Sequence, residues 1–361
     1  MKMRHETPSS RSISALGGVR VIDLTTLLPG PLASLMLTEC GADVIKIERP
    51  PSGDDMRHMD GTGTLFRFLN TGKRFVMADF KNADDMTDII TLIKTADILI
   101  EQFRPGVLAR LGLSYEVLSK INPQLIYCSI TGFGQTGPLS SVAGHDLNYV
   151  AEAGLLSLGA TPDGNPVIPP TLIADIAGGS YPTVMKILLA IIERQKTGRG
   201  CHIDIAMTDH IAPFMLPAIA SVHDLNKNPV SGGELLSGGS PRYQIYKCKD
   251  GRHLAVAALE DKFWANFCQC IDLAYELRLE NANPNDVKAA IIKIVATQNS
   301  SHWQQLFSGK DVCCNIVSTV TEAISNPHFI ERETFQGNKD KAKDLSRFKP
   351  TELHKIKWKN Y

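Results

Sequence analysis

A histidine and an aspartate, thirty positions apart in the chain, stand in settings where either side chain can do acid–base chemistry. His145 lies in the segment GHDLNY, directly after a glycine. Histidine titrates near neutral pH, so it can take up or release a proton under physiological conditions. Packing in a core explains a single histidine equally well, and the segment by itself does not exclude that explanation.

Asp175 lies between the apolar stretch TLIA and the glycine-rich stretch GGS, and a helical pattern follows. We predict a helix over residues 178–200, which places the carboxylate near a helix amino terminus, where N–H groups and the helix dipole favour an anion. A helix-capping aspartate occupies the same position. The position alone therefore leaves a cap and a catalytic carboxyl both open.

Residues 16–209 predict a large α/β domain with a parallel sheet, because short β-branched runs alternate with helical patterns. The predicted strands are VRVIDL, DVIKIE, RFVMADF, DILIEQF, LIYCSI and, after the long helix, CHIDIAM. Helices are predicted at PLASLMLTECG, ADDMTDIITLIKTA and GVLARLGLSYEVLSKINP. The turn after the first strand reads TTLLPGPLAS instead of GxGxxG, which disfavours a nicotinamide dinucleotide as the ligand.

Basic side chains recur next to the ends of these strands, where ligands of open α/β sheets bind. Together they predict a phosphate-rich ligand, although solvated surface charge explains any single one. They are Lys46 and Arg49 after the second strand, Lys73 and Arg74 before the third, and Arg104 after the fourth.

The rest of the chain predicts a second, smaller domain. Residues 210–240 are rich in proline and glycine and are expected to form a linker. Residues 241–320 are expected to form an α+β domain that opens with two strand-like runs around the turn KDG. We expect residues 1–15 to be a disordered leader and residues 321–361 to return to the large domain.

Composition argues against several classes of partner. Lys plus Arg and Asp plus Glu cancel at 38 each, so no global field favours nucleic acid. The longest apolar runs, ILLAII and PFMLPAIASV, are shorter than the ~18 residues of a membrane span. The eight cysteines show no CxxC pairs, which predicts reduced thiols in an intracellular protein and no metal site.

Six segments together resemble the family III CoA-transferase superfamily (CaiB/BaiF type), and within it the α-methylacyl-CoA racemase branch. The resemblance runs in order from about residue 16 to residue 335. It implies a Rossmann-like large domain, a smaller α+β domain and an interlocked homodimer whose active sites combine the large domain of one chain with the small domain of the other. The segments are GVRVIDLTTLLPGPLASLMLTECGADVIKIERP, DILIEQFRPGVLARLGL, ITGFGQTGPLSSVAGHDLNYVAEAGLLS, PPTLIADIAGGS, TGRGCHIDIAM and YKCKDGRHLAVAALE.

The activity that the resemblance implies is inversion of the α-carbon of a 2-methyl-branched acyl-CoA, with no cofactor beyond the CoA of the substrate. His145 and Asp175 would stand on opposite sides of that carbon, one removing the proton and the other returning one. Two groups are needed because a single base on one face only exchanges the proton. The enolate oxygen also needs donors, expected from N–H groups at or near Gly178–Ser180.

The resemblance also implies roles for other residues. Glu260, in AVAALE, would orient His145, and Arg110, in RPGVLARLGL, matches a position associated with activity. Binding of the CoA part is implied for Arg49, Lys73, Arg74, Arg104, Asp146 and Tyr149. The chain departs from the family pattern in two places. Arg242–Tyr243 replaces a pair of aromatic residues. The ending KIKWKNY lacks a peroxisomal tripeptide, which leaves mitochondrial, peroxisomal and cytoplasmic placement open.

Two other functions fit the same resemblance. In a family III CoA-transferase, Asp175 would attack a thioester and form a mixed anhydride and then an aspartyl-CoA thioester. A catalytically silent acyl-CoA-binding protein is the third interpretation. His145 favours the racemase, because the transferase relatives generally lack this histidine.

Overall fold

The computed structural model of the chain describes residues 14–161, 164–332 and 334–335. Most of the predicted leader, and the predicted C-terminal segment beyond residue 335, lie outside the described residues. The described chain divides into two units, each with its own internal contacts. The first holds residues 14–153, Pro169–Phe214 and 334–335, and the second holds Gly154–Ile168 and residues 215–332.

The first unit is built on a six-stranded parallel sheet with the strand order β3-β2-β1-β4-β5-β6. This confirms the predicted α/β class with a Rossmann-like sheet. The strand order reverses between β1 and β4, which opens a crevice at their carboxyl ends. The strands are β1 (Arg20–Leu24), β2 (Asp43–Glu48), β3 (Arg74–Met77), β4 (Ile98–Glu101), β5 (Ile126–Thr131) and β6 (His202–Ala206).

Helices cover both faces of this sheet. Ile22, Ile45 and Leu99 from one face pack with apolar residues of α4, α5 and α6, while α1 and α8 lie against other parts of the sheet. The helices are α1 (Pro29–Glu39), α2 (Met56–Met59), α3 (Thr64–Leu69), α4 (Ala83–Lys94), α5 (Val107–Arg110), α6 (Tyr115–Ile121), α7 (Asp146–Glu152) and α8 (Tyr181–Thr197).

Helix positions follow local signals where those are strong. Proline at the start of α1 fits the first helical turn, and the Asn82 side chain caps α4 by accepting the N–H groups of Asp84 and Asp85. The single helix predicted over GVLARLGLSYEVLSKINP is instead two, α5 and α6. Gly112 lies between them with a φ of 75°, a left-handed conformation that ends a helix.

The helical run Ala174–Thr197 combines a wide π-helical turn, Ala174–Ser180, with α8. It begins four residues before the predicted start at residue 178. By length and composition alone it is also the one helix among the described residues that is able to span a membrane, with 24 residues and a mean hydropathy of 1.3 over its qualifying 18-residue window. Val184 and Ile187 are buried in the first unit, and core helices of soluble proteins meet the same criteria.

A cluster of buried charges lies under the carboxyl edge of the sheet. Asp23 in β1 accepts hydrogen bonds from Thr25 and from Ser34 in α1, and its Oδ2 lies 3.3 Å from the ammonium of Lys73. Lys46 pairs with Asp54 at 3.0 Å. Burial by itself raises the pKa of Asp23, but Lys46, Lys73 and the two hydroxyls outweigh it and hold the pKa well below its usual value.

The second unit contains a three-stranded antiparallel sheet with the order β7-β8-β9, made of β7 (Tyr243–Lys247), β8 (His253–Ala257) and β9 (Cys314–Ile316). The strand-like runs predicted around KDG are β7 and β8. Tyr246, Phe267 and Trp303 belong to its core. Its helices are α9 (Leu216–Leu225), α10 (Asp261–Cys270), α11 (Pro284–Val295), α12 (Ser300–Phe307), α13 (Val320–Ile324) and α14 (Pro327–Glu331).

The segment expected as a linker, residues 210–240, contains regular structure. A 3₁₀ helix spans Asp209–Met215, α9 follows directly, and a short helical turn spans Leu235–Gly239. Pro217 lies in the first turn of α9, where proline is compatible with a helix, so this proline starts a helix instead of preventing one.

Replacing Asp23 with Asn tests the buried charge cluster. The change removes the charge and leaves the buried ammonium of Lys73 without its ion-pair partner, so we expect a loss of about 3 kcal/mol in the free energy of unfolding at pH 7. Urea denaturation followed by circular dichroism measures it. Asp88→Asn, on the exposed face of α4, is the control; equal stability of the two variants would contradict the prediction.

Candidate active site

A cavity of about 440 Å³ opens at the carboxyl edge of the parallel sheet. Both His145 and Asp175 line it. Residues from the ends of four strands form its wall: Thr26 and Leu27 after β1, Gln102–Pro105 after β4, Ile130–Phe133 around the end of β5, and Met207 after β6. The cavity thus lies where the strand order reverses, the place where ligands of open α/β sheets bind.

His145 is the residue that precedes α7, and its main chain is extended. Its N–H donates to Oδ1 of Asn148 at 3.0 Å, and its carbonyl oxygen accepts the N–H of Asn148 at 2.8 Å. The two bonds fix the main chain of His145 against the first turn of α7. The imidazole is exposed and lines the cavity.

Tyr149 holds the segment that leads into His145. Its hydroxyl donates to the carbonyl oxygen of Gly144, and its ring packs against Gly132. A Cβ on Gly132 would lie 2.1 Å from the Tyr149 ring, so only glycine permits this approach. Tyr149 is buried and lines the cavity, and its binding of CoA stays a prediction.

Asp175 lies in the first turn of the π-helical segment, so the expectation that it precedes the helix is wrong by about one turn. Its N–H donates to Oδ1 of Asp146 at 2.9 Å. The hydroxyl of Ser180 contacts the carbonyl oxygens of Asp175 at 3.1 Å and of Pro29 at 2.8 Å, which ties this turn to α1. The carboxyl-bearing residue is therefore anchored on both sides through its main chain.

Gly178, Gly179 and Ser180 are buried inside the helical run and do not form its free amino-terminal end. A Cβ on Gly178 would lie 2.4 Å from the carbonyl oxygen of Met207. These glycines therefore allow the helical run to pack closely on the chain after β6. The expected oxyanion donors at Gly178–Ser180 do not fit this placement, because the helix begins one turn earlier.

The carboxyl of Asp175 has an unusual electrostatic environment. Burial, with a further contribution from the nearby carboxylate of Asp146, raises the pKa of Asp175 to about 7. At neutral pH the carboxyl and carboxylate forms are then both well populated. Such a group can act as an acid in one step and as a base in another.

The residues expected to bind the CoA part lie in different settings. Arg104 is exposed, follows β4 and lines the cavity. Arg49 is exposed after β2, and Arg74 pairs with Asp43 in the neighbouring strand. Lys73 is buried, with its ammonium bonded to the carbonyl oxygen of Pro31 at 2.9 Å and to Oδ1 of Asn70 at 2.8 Å.

Lys46 lies inside β2, and not after it as predicted, and its side chain is fully buried. Arg110 ends α5 and is exposed, and it is not among the described residues that line the cavity. Glu260 belongs to the second unit, where it is the exposed residue before α10. Their roles stay predictions. In the described parts of the chain, no group of three or more His, Cys, Asp and Glu side chains is placed to hold a metal ion.

Comparison with known proteins identifies the family. The sequence profile described as CoA-transferase family III matches residues 16–358. The chain belongs to CoA-transferase family III. It is 36% identical to the alpha-methylacyl-CoA racemase of Mus musculus, over 89% of this chain and 82% of that protein. It is 34% identical to the acetyl-CoA:oxalate CoA-transferase of Acetobacter aceti, over 91% and 87% of the two chains.

A solved structure has a similar architecture. The CAIB/BAIF family protein from Brucella suis superposes with a TM-score of 0.78 and is 30% identical, with 90% of this chain and 89% of that chain covered. Relatives of this family III chain thus include proteins named as racemases and proteins named as transferases at similar identity. The choice between the two reactions depends on the site.

Sequence reasoning did not find the polar residues at the strand ends that complete this family III cavity. Gln102 follows β4 and accepts the N–H of Gly30 at 3.1 Å, and Thr131 ends β5. The signal in the sequence was a polar residue at the end of a buried strand or directly after it, and the basic residues alone do not predict this part of the cavity wall. The bond between Asp146 and Asp175 was also missed, because no local pattern indicates it.

Replacing Asp175 with Asn should stabilise the protein at alkaline pH. The folded state raises the pKa of Asp175 to about 7. The stability that the protonated Asp175 carboxyl contributes is therefore fully present below its pKa of about 4 in the unfolded chain, and it is lost as the pH rises to 7. At pH 8 the folded wild type has to bury an ionised carboxylate at Asp175, whereas the Asn side chain has no charge to bury. We therefore expect Asp175→Asn to be more stable by ~1–3 kcal/mol at pH 8.

Urea denaturation of both proteins from pH 5 to pH 8 measures the difference, which should shrink as pH falls. A constant or reversed difference across this range contradicts the raised pKa. Asp88→Asn again controls for the loss of one surface carboxylate.

Proposed function

We propose that this family III chain is an α-methylacyl-CoA racemase that inverts the α-carbon of 2-methyl-branched acyl-CoA thioesters. One observation carries the proposal: His145 and Asp175 line a single cavity at the switch point of the sheet. The raised pKa of Asp175, about 7, supports it, because a racemase needs a carboxyl that holds a proton in one direction and accepts one in the other.

The proposed reaction moves one proton off the α-carbon and one onto its opposite face. For one enantiomer, the carboxylate of Asp175 takes the α-proton, the C–H electron pair moves into the enolate, and the imidazolium of His145 then protonates the carbon. The residues end with their protonation states exchanged, and the other enantiomer uses that exchanged form. The enolate charge also needs hydrogen-bond donors, and a lost donor typically costs ~3 kcal/mol of barrier.

The substrate would be held by its CoA part, with no further cofactor. Arg104 stands on the cavity wall, and we propose that it meets a phosphate of CoA, with Arg49 also exposed after β2. We propose that the protein works as a homodimer and that Glu260 orients His145. The acyl chain then needs only a permissive apolar surface, which is compatible with a range of branched acyl groups.

Family III CoA-transfer is the alternative, and a carboxylate open to the cavity favours it. Asp175 would attack the thioester carbonyl, release CoA thiolate and form a mixed anhydride. The thiolate would then attack the aspartyl carbonyl of the anhydride, release the donor as a free carboxylate and leave an aspartyl-CoA thioester. This path uses Asp175 as a nucleophile and gives no role to His145. The two reactions are therefore separated by the fate of the α-proton and by the need for His145.

Single enantiomers of a 2-methylacyl-CoA in heavy water test the proposal. We expect α-deuterium uptake together with loss of optical purity. His145→Ala and Asp175→Ala should each lower racemisation by 10²-fold or more, because a positioned acid–base group contributes about 10²–10⁴-fold. In His145→Ala, the enantiomer whose proton faces Asp175 should still exchange its proton without inverting.

His302→Ala, on the exposed side of α12, should racemise at the wild-type rate. A parallel reaction with a free carboxylic acid acceptor, trapped with hydroxylamine, detects transferase chemistry. Acyl exchange without inversion, abolished by Asp175→Ala and unaffected by His145→Ala, would falsify the racemase proposal. Binding of CoA without either reaction would favour a silent binder.

A further inference from the structure

Asp146 connects the two chain segments that carry the candidate acid–base residues. It is the first residue of α7, immediately after His145, and its Oδ1 accepts the N–H of Asp175 at 2.9 Å. Its exposed fraction is 6%, so the carboxylate lies beneath the cavity surface and not in solvent. This contact differs from the CoA-binding role expected for Asp146 from sequence.

These two segments are separated along the chain. After α7 it leaves the first unit, and Gly154–Ile168 belongs to the second unit before Pro169 brings the chain back. His145 therefore precedes this second-unit stretch in the chain, and Asp175 follows it. A bond between the first turn of α7 and the first turn of the π-helical segment ties them directly.

The bond has the chemistry of a strong anchor. The first N–H groups of a helix have no partner within the helix, and a carboxylate is the acceptor that best satisfies them. A buried N–H that loses such a partner is destabilised, so the turn would shift to find another. Reaction rates respond steeply to such shifts, because a misplacement of about 1 Å can cost 10²-fold.

We propose that Asp146 is a positioning residue for this acid–base pair: its carboxylate fixes the main chain of Asp175 against the turn that carries His145. As regards the reaction, this inference rests on the proposed racemase function. Asp146 acts through Asp175 and is not itself an acid or a base in the reaction.

The charge of Asp146 has a second, separable effect. Burial is the larger cause of the raised pKa of Asp175, and the negative charge of Asp146 adds to it. Tyr149, from α7, has its own pKa raised by burial and stays neutral. Arg104 and His145 line the same cavity, where a positive charge on either side chain would lower the pKa of Asp175, while Pro29, Ser180 and Met207 bring no charge.

Two substitutions separate position from charge. Asp146→Asn keeps an oxygen that accepts the Asp175 N–H but loses the charge, whereas Asp146→Ala loses both. In Asp146→Asn we expect kcat to stay within about threefold of the wild type. The pH profile of kcat in this variant should move to lower pH by about one unit, because an anion near Asp175 is removed.

The direction of the shift follows from the chemistry. Where Asp175 acts as the base, the acid limb moves to lower pH; where it acts as the acid, the alkaline limb moves to lower pH. In Asp146→Ala we expect kcat to fall at least tenfold in both directions, with a smaller change in KM and no pH that restores it. Asp88→Asn is the matched control and should change neither quantity.

Amide hydrogen exchange tests the positioning without any assay of activity. A short peptide containing Asp175 should exchange faster in Asp146→Ala than in the wild type, with Asp146→Asn close to the wild type. Wild-type exchange and wild-type kcat in Asp146→Ala would overturn the inference. If the wild type does not racemise, the proposed function fails, and the exchange data alone then support or overturn the positioning role.

Discussion

In the proposed racemase, the carboxyl group of Asp175 has to meet two opposed requirements. It must be buried deeply enough to hold a proton near neutral pH, and it must remain open to a cavity where a substrate can reach it. Burial and the neighbouring Asp146 meet the first requirement by raising the pKa of Asp175 to about 7, and its place on the cavity wall meets the second. The helix starts, the glycines and the buried hydrogen bonds around Asp175 hold its carboxyl in this position.

The order of the strands in the parallel sheet accounts for the position of the cavity. A strand order that reverses between β1 and β4 leaves a crevice at their carboxyl ends. The buried pair of Asp23 and Lys73 secures the chain beneath that edge, and Gly178 lets the helical run lie against Met207. The rigid sheet and the close-packed turn together hold the wall on which His145 and Asp175 stand.

Much of this architecture is predictable from sequence, because strands and helices have local signatures. The stretch DVIKIE is β2 at its predicted residues, and the ligand edge follows from the parallel sheet. Lys46 is the fourth residue of that stretch, so its placement after the strand disagreed with the pattern, and its burial depends on an ion pair with Asp54 that no local pattern indicates. The contact between Asp146 and Asp175 joins two segments that are separated in the chain by a stretch of the second unit. Hydrophobic periodicity does not predict a contact of this kind.

The central claim is that an imidazole and a carboxyl act on one α-carbon from opposite faces. A crystal structure with a bound, unreactive analogue of a 2-methylacyl-CoA tests this most directly. The account predicts the ring of His145 and the carboxyl of Asp175 on opposite faces of the α-carbon, each at about 3–3.5 Å, the separation of reacting atoms in a near-attack geometry. Both groups on one face, or Asp175 against the thioester carbonyl carbon with His145 remote, would contradict it.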